Sequence, residues 1–154
     1  MIEIPNFKTL NILHVVCDYN GTIAKDGLVL PEIKNLFQQL SKHYTLHVIT
    51  SDTFGSVHAQ LKDYDTSIKV LTSDDHTWEK ADYIDSLGAE NCVALGNGNN
   101  DKEMLLLASV GIAVIGDEGC SKNALLNADI ICKNISDALS LLTNTKRLTA
   151  TLRS

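Results

Sequence analysis

Short apolar segments alternate with helix-like segments along almost the whole chain. Several of the apolar segments, such as residues 12–17 and 92–95, are continuous and are not interrupted by polar residues at every second position. Continuous apolar strands are typical of a sheet that is covered on both faces. Strands that alternate with helices are joined by right-handed crossovers and form a parallel sheet. The pattern therefore predicts an α/β fold with a parallel sheet between layers of helices.

The predicted elements follow this alternation from residue 12 to residue 142. The predicted strands span residues 12–17, 46–50, 67–71, 92–95, 111–115 and 129–132. The predicted helices span residues 31–42, 56–62, 77–87, 101–108, 121–126 and 136–142. Residues 2–10 predict a small antiparallel hairpin, and the tail after residue 145 is either docked or frayed.

The bulk composition narrows the class of protein. A chain of 154 residues suits one compact domain, so we expect a single domain over residues 1–154. A net charge of −6 disfavours binding to nucleic acid or to anionic membranes. The sequence contains neither an apolar run long enough to span a bilayer nor a secretory signal, and its cysteines are not spaced as metal ligands. We therefore expect a cytoplasmic protein with reduced, buried thiols.

Polar side chains follow several of the predicted strands. A parallel α/β sheet binds its ligand beyond the carboxyl ends of its strands, so these side chains are expected to meet at one edge. One lysine near the start of a predicted helix joins them. The residues concerned are Asp18, Thr50, Lys80, Asn97, Asn100 and Asp101.

These residue types together suit the handling of a phosphoryl group. A carboxylate can attack phosphorus, while hydroxyl and backbone N–H groups hold the phosphate oxygens. A lysine offsets the negative charge, and Mg²⁺ is bound by one or two carboxylates and water. Each residue alone has a simpler explanation, since Asn-Gly is first of all a turn dipeptide and a lone lysine is usually solvated. The segment GNGNND also resembles half of a dinucleotide fingerprint, but Asp101 occupies the third glycine position and the loop follows a late strand.

The order of these motifs resembles the haloacid dehalogenase (HAD) superfamily of aspartyl-phosphate phosphotransferases. The motifs are DYNGT at residues 18–22, Thr50, Lys80, and GNGNND at residues 96–101. Within the superfamily the chain is similar to the small soluble proteins that share motifs with P-type ATPases. The resemblance implies a Rossmann-like, HAD-type sheet without a cap domain, and a Mg²⁺-dependent phosphatase or phosphotransferase.

The resemblance also implies roles for individual residues. Catalysis would fall to Asp18 as nucleophile, Lys80 as the neutralising cation, and Asn20 at the place of the usual general acid and base. Phosphate or substrate would be bound by Thr50, Ser51, the Gly21 amide and Asn100. The metal ligands would be Asp18, the Asn20 carbonyl, Asn97 and Asp101.

Two of these positions depart from the family pattern. Asn20 stands where phosphatases of the family have an acid, and loss of a general acid–base costs typically about 10²- to 10⁴-fold in rate. P-type ATPases also lack an acid there, so Asn20 argues against fast hydrolysis rather than against phosphoryl transfer. Asn97 stands where the family has a metal-ligating Asp, which predicts weaker metal binding.

The gaps between the motifs are too short for a cap domain, so the site is expected to be open. Residues 24–30 form the expected flap. The substrate is then either large, such as a phosphoprotein, or a phosphorylated small molecule at a site that a second subunit of a homo-oligomer covers. His76 precedes the helix that carries Lys80 and could touch substrate, but a solvated loop position is the preferred interpretation.

Two other interpretations compete with an enzyme. The first is a catalytically degenerate HAD-fold protein with a binding or regulatory function, for which Asn20 and Asn97 are the evidence. The second, a receiver-like phospho-acceptor, ranks last because no cluster of acids accompanies Asp18.

Overall fold

The computed structural model describes residues 1–53 and 55–154. Its strands, in chain order, are β1 (Ile2–Ile4), β2 (Lys8–Leu10), β3 (His14–Asp18), β4 (Ala24–Lys25), β5 (Leu28–Val29), β6 (Thr45–Thr50), β7 (Ser67–Val70), β8 (Cys92–Gly96), β9 (Val110–Val114) and β10 (Ile130–Cys132). Its helices are α1 (Ile33–Leu40), α2 (Val57–Gln60), α3 (His76–Leu87), α4 (Lys102–Leu107), α5 (Lys122–Asn127), α6 (Ile135–Thr143) and α7 (Thr145–Leu152).

Six strands form one parallel sheet in the order β10-β9-β8-β3-β6-β7. The predicted parallel α/β sheet is thus confirmed. From β3 the chain continues outward to β6 and β7, and it then returns to place β8 on the other side of β3. The order reverses between β3 and β8, and such a reversal opens a crevice at the carboxyl ends of the two strands.

Each face of the sheet carries its own hydrophobic core. Val15 and Cys17 of β3 pack into the core that also contains residues of α1, α6 and α7. Val16 points the other way, into the core that contains residues of α3, α4 and α5. Because adjacent residues of β3 face opposite layers, the strand is apolar from Val15 to Cys17. The cysteines are free, and burial raises the pKa of the Cys17 thiol, as expected for an inert core residue.

Two small hairpins and the last helix complete the fold. The predicted N-terminal hairpin forms from β1 and β2. The segment expected to be a flap forms a second hairpin from β4 and β5, directly after the first motif. The tail is docked rather than frayed, because α7 buries Leu148 and Leu152 against the core. No additional domain interrupts the described residues after β3 or β6, and none of the helices described is long and apolar enough to cross a membrane.

A pair of histidines joins β3 and β6 to α3. His14 Nδ1 lies 3.0 Å from His47 Nε2, and His47 Nδ1 lies 2.7 Å from the hydroxyl of Tyr83. His47 is buried, and burial together with the neighbouring His14 lowers its pKa from 6.5 to about 4. The unfolded chain therefore binds more protons than the folded chain between these two pH values.

We predict that this cluster makes the fold sensitive to acid. His47 should contribute a loss of unfolding free energy as the pH is lowered from 6.5 towards 4, because it is protonated in the unfolded chain before it is protonated in the fold. Protonation of Asp18, whose pKa is raised to about 7, acts in the opposite direction over this interval, so the effect of His47 is read from the difference between variant and unsubstituted protein. Urea unfolding at several pH values measures the effect. The His47→Gln variant should lose less stability over this interval, whereas His58→Gln, at an exposed position on α2, should behave like the unsubstituted protein. A His47→Gln curve parallel to that of the unsubstituted protein would contradict the assignment.

Candidate active site

Three neighbouring strands of the sheet end at the same place. Asp18 is the last residue of β3, Thr50 is the last residue of β6, and Asn97 follows β8 directly. The register pairs Asp18 with Ile49 and Cys17 with Leu95, so the polar residues are level along the sheet edge. The convergence expected from the sequence is therefore present.

The amino group of Lys80 lies at the centre of this edge. Lys80 Nζ donates to Asp18 Oδ1 at 3.1 Å, to Asn100 Oδ1 at 2.9 Å and to Asp101 Oδ1 at 2.7 Å. An ammonium group has three protons, so these three acceptors use all of them. Lys80 retains 3% of its accessible surface, which makes the cluster a buried ion pair network.

Asp101 is held from both sides. Its Oδ1 accepts from Lys80, and its Oδ2 accepts from the backbone amides of Asn97 and Gly98 at 3.0 and 2.9 Å. The side chain is fully buried, and a Cβ at Gly96 would lie 2.5 Å from its carboxylate. Glycine at position 96 therefore leaves the space that the carboxylate occupies. The expectation that Asp101 is a metal ligand does not fit this arrangement, because internal donors occupy both of its oxygens.

The position of α3 is fixed by its first turn. Asp75 caps the helix by accepting from the Trp78 amide, and Glu79 accepts from the amides of Thr72 and Ser73. These backbone contacts, above all that from Ser73, lower the pKa of Glu79 to about 2, so the clamp stays charged at neutral pH. Glu79 thereby ties the loop after β7 to the turn that carries Lys80.

The pKa of the Asp18 carboxyl results from opposing effects of its surroundings. Burial and the charge of Asp101 raise the pKa of its carboxyl, and Lys80 partly opposes this, with a net result of about 7. Burial lowers the pKa of Lys80, but the charges of Asp18 and Asp101 more than offset this and raise it above its ordinary value. Lys80 therefore remains a cation, and the three groups carry one net negative charge when both carboxylates are ionised.

Thr22 lies beside the free oxygen of Asp18 and was not singled out in the sequence. Its hydroxyl is 3.4 Å from Asp18 Oδ2 and 3.3 Å from Asn97 Oδ1. Asn97 Nδ2 donates to the Gly119 carbonyl at 3.2 Å, which turns the amide oxygen towards Thr22. The threonine of DYNGT was the available signal, since this hydroxyl follows Asp18 by one tight turn.

The loop after Asp18 departs from expectation at Gly21. Its amide donates to the Ala24 carbonyl at 2.7 Å, so the expected contact from this amide to phosphate is not available. Gly21 has a φ of +80°, and a Cβ there would collide with the Asn97 side chain, so the position requires glycine. The buried Tyr19 hydroxyl also donates to the Gly27 carbonyl at 2.8 Å, which fastens the β4–β5 hairpin to the residue after Asp18.

Thr50 and its neighbours form the wall opposite Asn97. The Thr50 hydroxyl accepts from the Asp52 amide at 2.8 Å, and among the residues described no acceptor takes its own proton. The Ser51 hydroxyl pairs with that of Thr53 at 2.8 Å and is exposed. Asn100 was expected to bind substrate, but its Oδ1 is occupied by Lys80, which leaves its Nδ2 for that purpose.

These side chains surround a cavity of about 310 Å³. His76 also lines it, half-buried at the start of α3, so the expectation of a solvated loop residue is wrong. Inside the cavity, Asn20 Oδ1 is buried and has no hydrogen-bond donor among the described residues. The lining residues are Asp18, Asn20, Thr50, Ser51, Thr53, Leu71, His76, Lys80, Asn97, Gly98 and Asn100.

The oxygens around Thr22 suit a hard divalent cation. Asp18 Oδ2 and Asn97 Oδ1 both lie within 3.4 Å of the Thr22 hydroxyl, so they face the same space. Asn20 adds an unsatisfied oxygen from the same cavity wall. Carboxylate and amide oxygens are ligands that Mg²⁺ accepts. In residues 1–53 and 55–154 no group of three His, Cys, Asp or Glu side chains is placed to hold a metal, so one carboxylate with neutral oxygens is the donor set that fits.

We predict that Lys80 stabilises the fold strongly at alkaline pH. Lys80→Met leaves two buried carboxylates without a counter-ion and should cost about 3–5 kcal/mol of unfolding free energy at pH 8. The cost should shrink as the pH falls and Asp18 is protonated. Chemical denaturation at pH 8 and pH 5 measures both values. Lys69→Met is the matched control, because its more exposed pair with Glu79 should contribute about 1 kcal/mol or less, and equal losses in the two variants would contradict the prediction.

The fold is similar to that of several solved phosphatases. The 3-deoxy-D-manno-octulosonate 8-phosphate phosphatase of Moraxella catarrhalis, crystallised with magnesium, phosphate and KDO, superposes with a TM-score of 0.71 at 19% identity, over 93% of this chain and 94% of that one. The cobalt-bound phosphatase of the same name from Haemophilus influenzae gives 0.73 at 13% identity, over 94% of each chain. BT1666 of Bacteroides thetaiotaomicron, a phosphatase of the HAD superfamily, gives 0.60 at 11% identity, over 91% of this chain and 96% of that one.

Sequence comparison finds a nearer relative. No protein-family model matches the chain. An uncharacterized protein of Methanocaldococcus jannaschii, MJ0073, is 47% identical over 78 residues, which cover 48% of this chain and 84% of the relative. The chain belongs to the same family as this archaeal protein, and its fold is that of the HAD superfamily.

Proposed function

We propose that the protein is a Mg²⁺-dependent phosphatase or phosphotransferase that forms an aspartyl phosphate on Asp18. The observation that carries the proposal is the buried contact of Lys80 with Asp18 and Asp101 at the floor of an open, polar cavity. Buried charges are costly, and a cluster of this kind beside a cavity is more often found at a functional site than in a core. The phosphatases with similar folds support the same reaction class.

The two oxygens of Asp18 have different surroundings. Oδ1 accepts from Lys80, whereas Oδ2 has only the long contact with Thr22. In the proposed reaction the Asp18 carboxylate attacks phosphorus, the bond from phosphorus to the leaving oxygen breaks, and that oxygen departs with the electron pair. Lys80 keeps its position throughout, because Asn100 and Asp101 hold it.

The rest of the cavity binds the phosphoryl group in this proposal. The free proton of Thr50 and the amide of Asn100 donate to phosphate oxygens, with Ser51 at the rim. Asp18, Asn97 and Asn20 hold the cation, while Asp101 positions Lys80. Bound Mg²⁺ would supply the positive charge that lowers the pKa of Asp18 and offsets the charge of the phosphate.

Asn20 sets the expected rate. A side-chain amide neither gives up nor takes a proton near neutral pH, so water attacks the aspartyl phosphate without help from a base. The proposed enzyme therefore hydrolyses its intermediate slowly. The second candidate function is that of a non-catalytic phosphate-binding protein, which the same asparagine favours. Measurable turnover of a phosphorylated substrate distinguishes the enzyme from this binding protein.

Binding of a phosphoryl mimic tests the site directly. Beryllium fluoride with Mg²⁺ should raise the melting temperature by about 5–10 °C at a hundredfold excess over the dissociation constant, because the pair binds only the folded chain. Asp18→Asn should abolish the shift, and either salt alone should produce much less. Failure of the unsubstituted protein to respond to the pair would remove the proposed site.

The neutral Asn97 gives a second prediction. Asn97→Asp adds a carboxylate beside Asp18 Oδ2 and should strengthen Mg²⁺ binding by about tenfold or more. Titration calorimetry measures the affinity without reference to activity. Asn99→Asp, an exposed change of equal charge in the same loop, is the control and should leave the affinity within about twofold. Equal gains in both variants would show a general charge effect and contradict a metal site at Asn97.

A further inference from the structure

We infer that the site acts on activated phosphates, whose leaving group departs as a stable anion, and not on phosphate esters of alcohols. Acyl phosphates and phosphoanhydrides belong to this class. The inference rests on the proposed role of Asp18 and adds the class of substrate. It follows from an inventory of the groups around the cavity that could protonate a leaving oxygen.

Most of the cavity cannot deliver a proton. Its hydroxyl and amide side chains, those of Thr50, Ser51 and Asn100 among them, do not ionise near neutral pH. Asp18 is the proposed nucleophile and must be ionised to attack. Beyond these side chains, the ionisable groups of the described lining are Lys80 and His76.

Lys80 is unsuited to act as the acid. Its three protons are directed at Asp18, Asn100 and Asp101, within 3.1 Å of each acceptor. The amino group is also buried and faces the carboxylate of the proposed nucleophile. A leaving group must depart from the face of phosphorus opposite to the attacking oxygen, whereas Lys80 contacts the attacking carboxylate itself.

His76 lies one helical turn before Lys80 at the start of α3 and lines the same cavity. It belongs to the same wall as Lys80, whereas Asn20 belongs to the loop that follows the nucleophile. In the proposed step His76 transfers no proton to the leaving oxygen. The His76→Gln variant described below tests this assignment.

Asn20 does not supply a proton to the leaving oxygen either. It lines the cavity with a buried, unpartnered Oδ1, and its amide can accept or donate a hydrogen bond but cannot transfer the proton that an alkoxide needs. General acid catalysis matters most for strongly basic leaving groups and little for weakly basic ones. With His76 taking no part, the described lining has no acid for the leaving oxygen and thus favours donors in which that oxygen belongs to a carboxylate or a phosphate.

The proposed step is balanced without a proton. A bond forms between a carboxylate oxygen of Asp18 and phosphorus, the bond from phosphorus to the leaving oxygen breaks, and the leaving carboxylate or phosphate departs with the electron pair. Water later attacks the phosphorus of the aspartyl phosphate. The electron pair of the broken bond returns to Asp18, and the proton of the water passes to solvent or to the released phosphate.

A series of donors tests the inference. With Mg²⁺ present, kcat/KM should be at least about 10²-fold higher for acetyl phosphate than for glycerol 1-phosphate, with p-nitrophenyl phosphate between them. Pyrophosphate, included in the same series, distinguishes phosphoanhydrides from acyl phosphates. At saturating Mg²⁺, Asn20→Asp should raise kcat/KM for glycerol 1-phosphate by about 10²- to 10⁴-fold relative to kcat/KM for acetyl phosphate, because Asn20 is also a proposed cation ligand and only the ratio of the two values isolates proton transfer. Asn99→Asp, with the same added charge at an exposed position, should change neither value.

Three outcomes would overturn the inference. Equal kcat/KM for acetyl phosphate and glycerol 1-phosphate would show that leaving-group basicity is irrelevant. Turnover of glycerol 1-phosphate that disappears in His76→Gln would identify His76 as the missing acid. A protein that binds beryllium fluoride but accepts none of the donors would leave the phosphate site in place and remove the substrate class. Absence of both binding and turnover would instead remove the proposed function itself.

Discussion

The buried amino group of Lys80, placed between Asp18 and Asp101, is the interaction on which the rest of the site depends. A cation and two carboxylates lose a large hydration free energy when they are buried, and only close, well-directed contacts compensate for this loss. Three separate segments supply those contacts, and a fourth segment anchors the helix that carries the lysine. Residue 80 comes from α3, residue 18 from β3, and residues 97–101 from the loop that begins α4, while Glu79 fastens α3 to the loop after β7. The sheet provides the level edge on which the segments meet, because the strand order reverses between β3 and β8.

The sheet could be predicted because the burial of its strands is visible in the sequence as short, continuous apolar runs. A strand that is covered on both faces must be apolar at consecutive positions, as Val15, Val16 and Cys17 are, and no other element needs such a short, uninterrupted run. The residues that end these strands could be predicted for the same reason, since parallel strands bring their carboxyl ends together. Helix ends moved by one or two residues, because capping by Asp75 and Ser121 depends on local backbone geometry.

The direction of individual polar groups could not be predicted in this way. The amide of Gly21 turns towards Ala24 and not towards the cavity, and the carboxylate of Asp101 is enclosed by Lys80 and two backbone amides. Both results depend on turns whose φ and ψ angles the motif spacing does not specify. Thr22 became visible as a neighbour of Asn97, and His76 as a cavity residue, only when distant segments were placed side by side. The resemblance identified which residues meet, and the coordinates identified which of their atoms remain free.

The hydrogen bond from the Tyr19 hydroxyl to the Gly27 carbonyl links the β4–β5 hairpin to the end of β3. The ring is buried and is the immediate neighbour of the proposed nucleophile, while Gly27 lies at the tip of the β4–β5 hairpin. For the hairpin to swing outward, this buried bond must break at a cost of about 1–3 kcal/mol. Movement of the hairpin and movement of the backbone beside Asp18 are therefore coupled through one buried side chain.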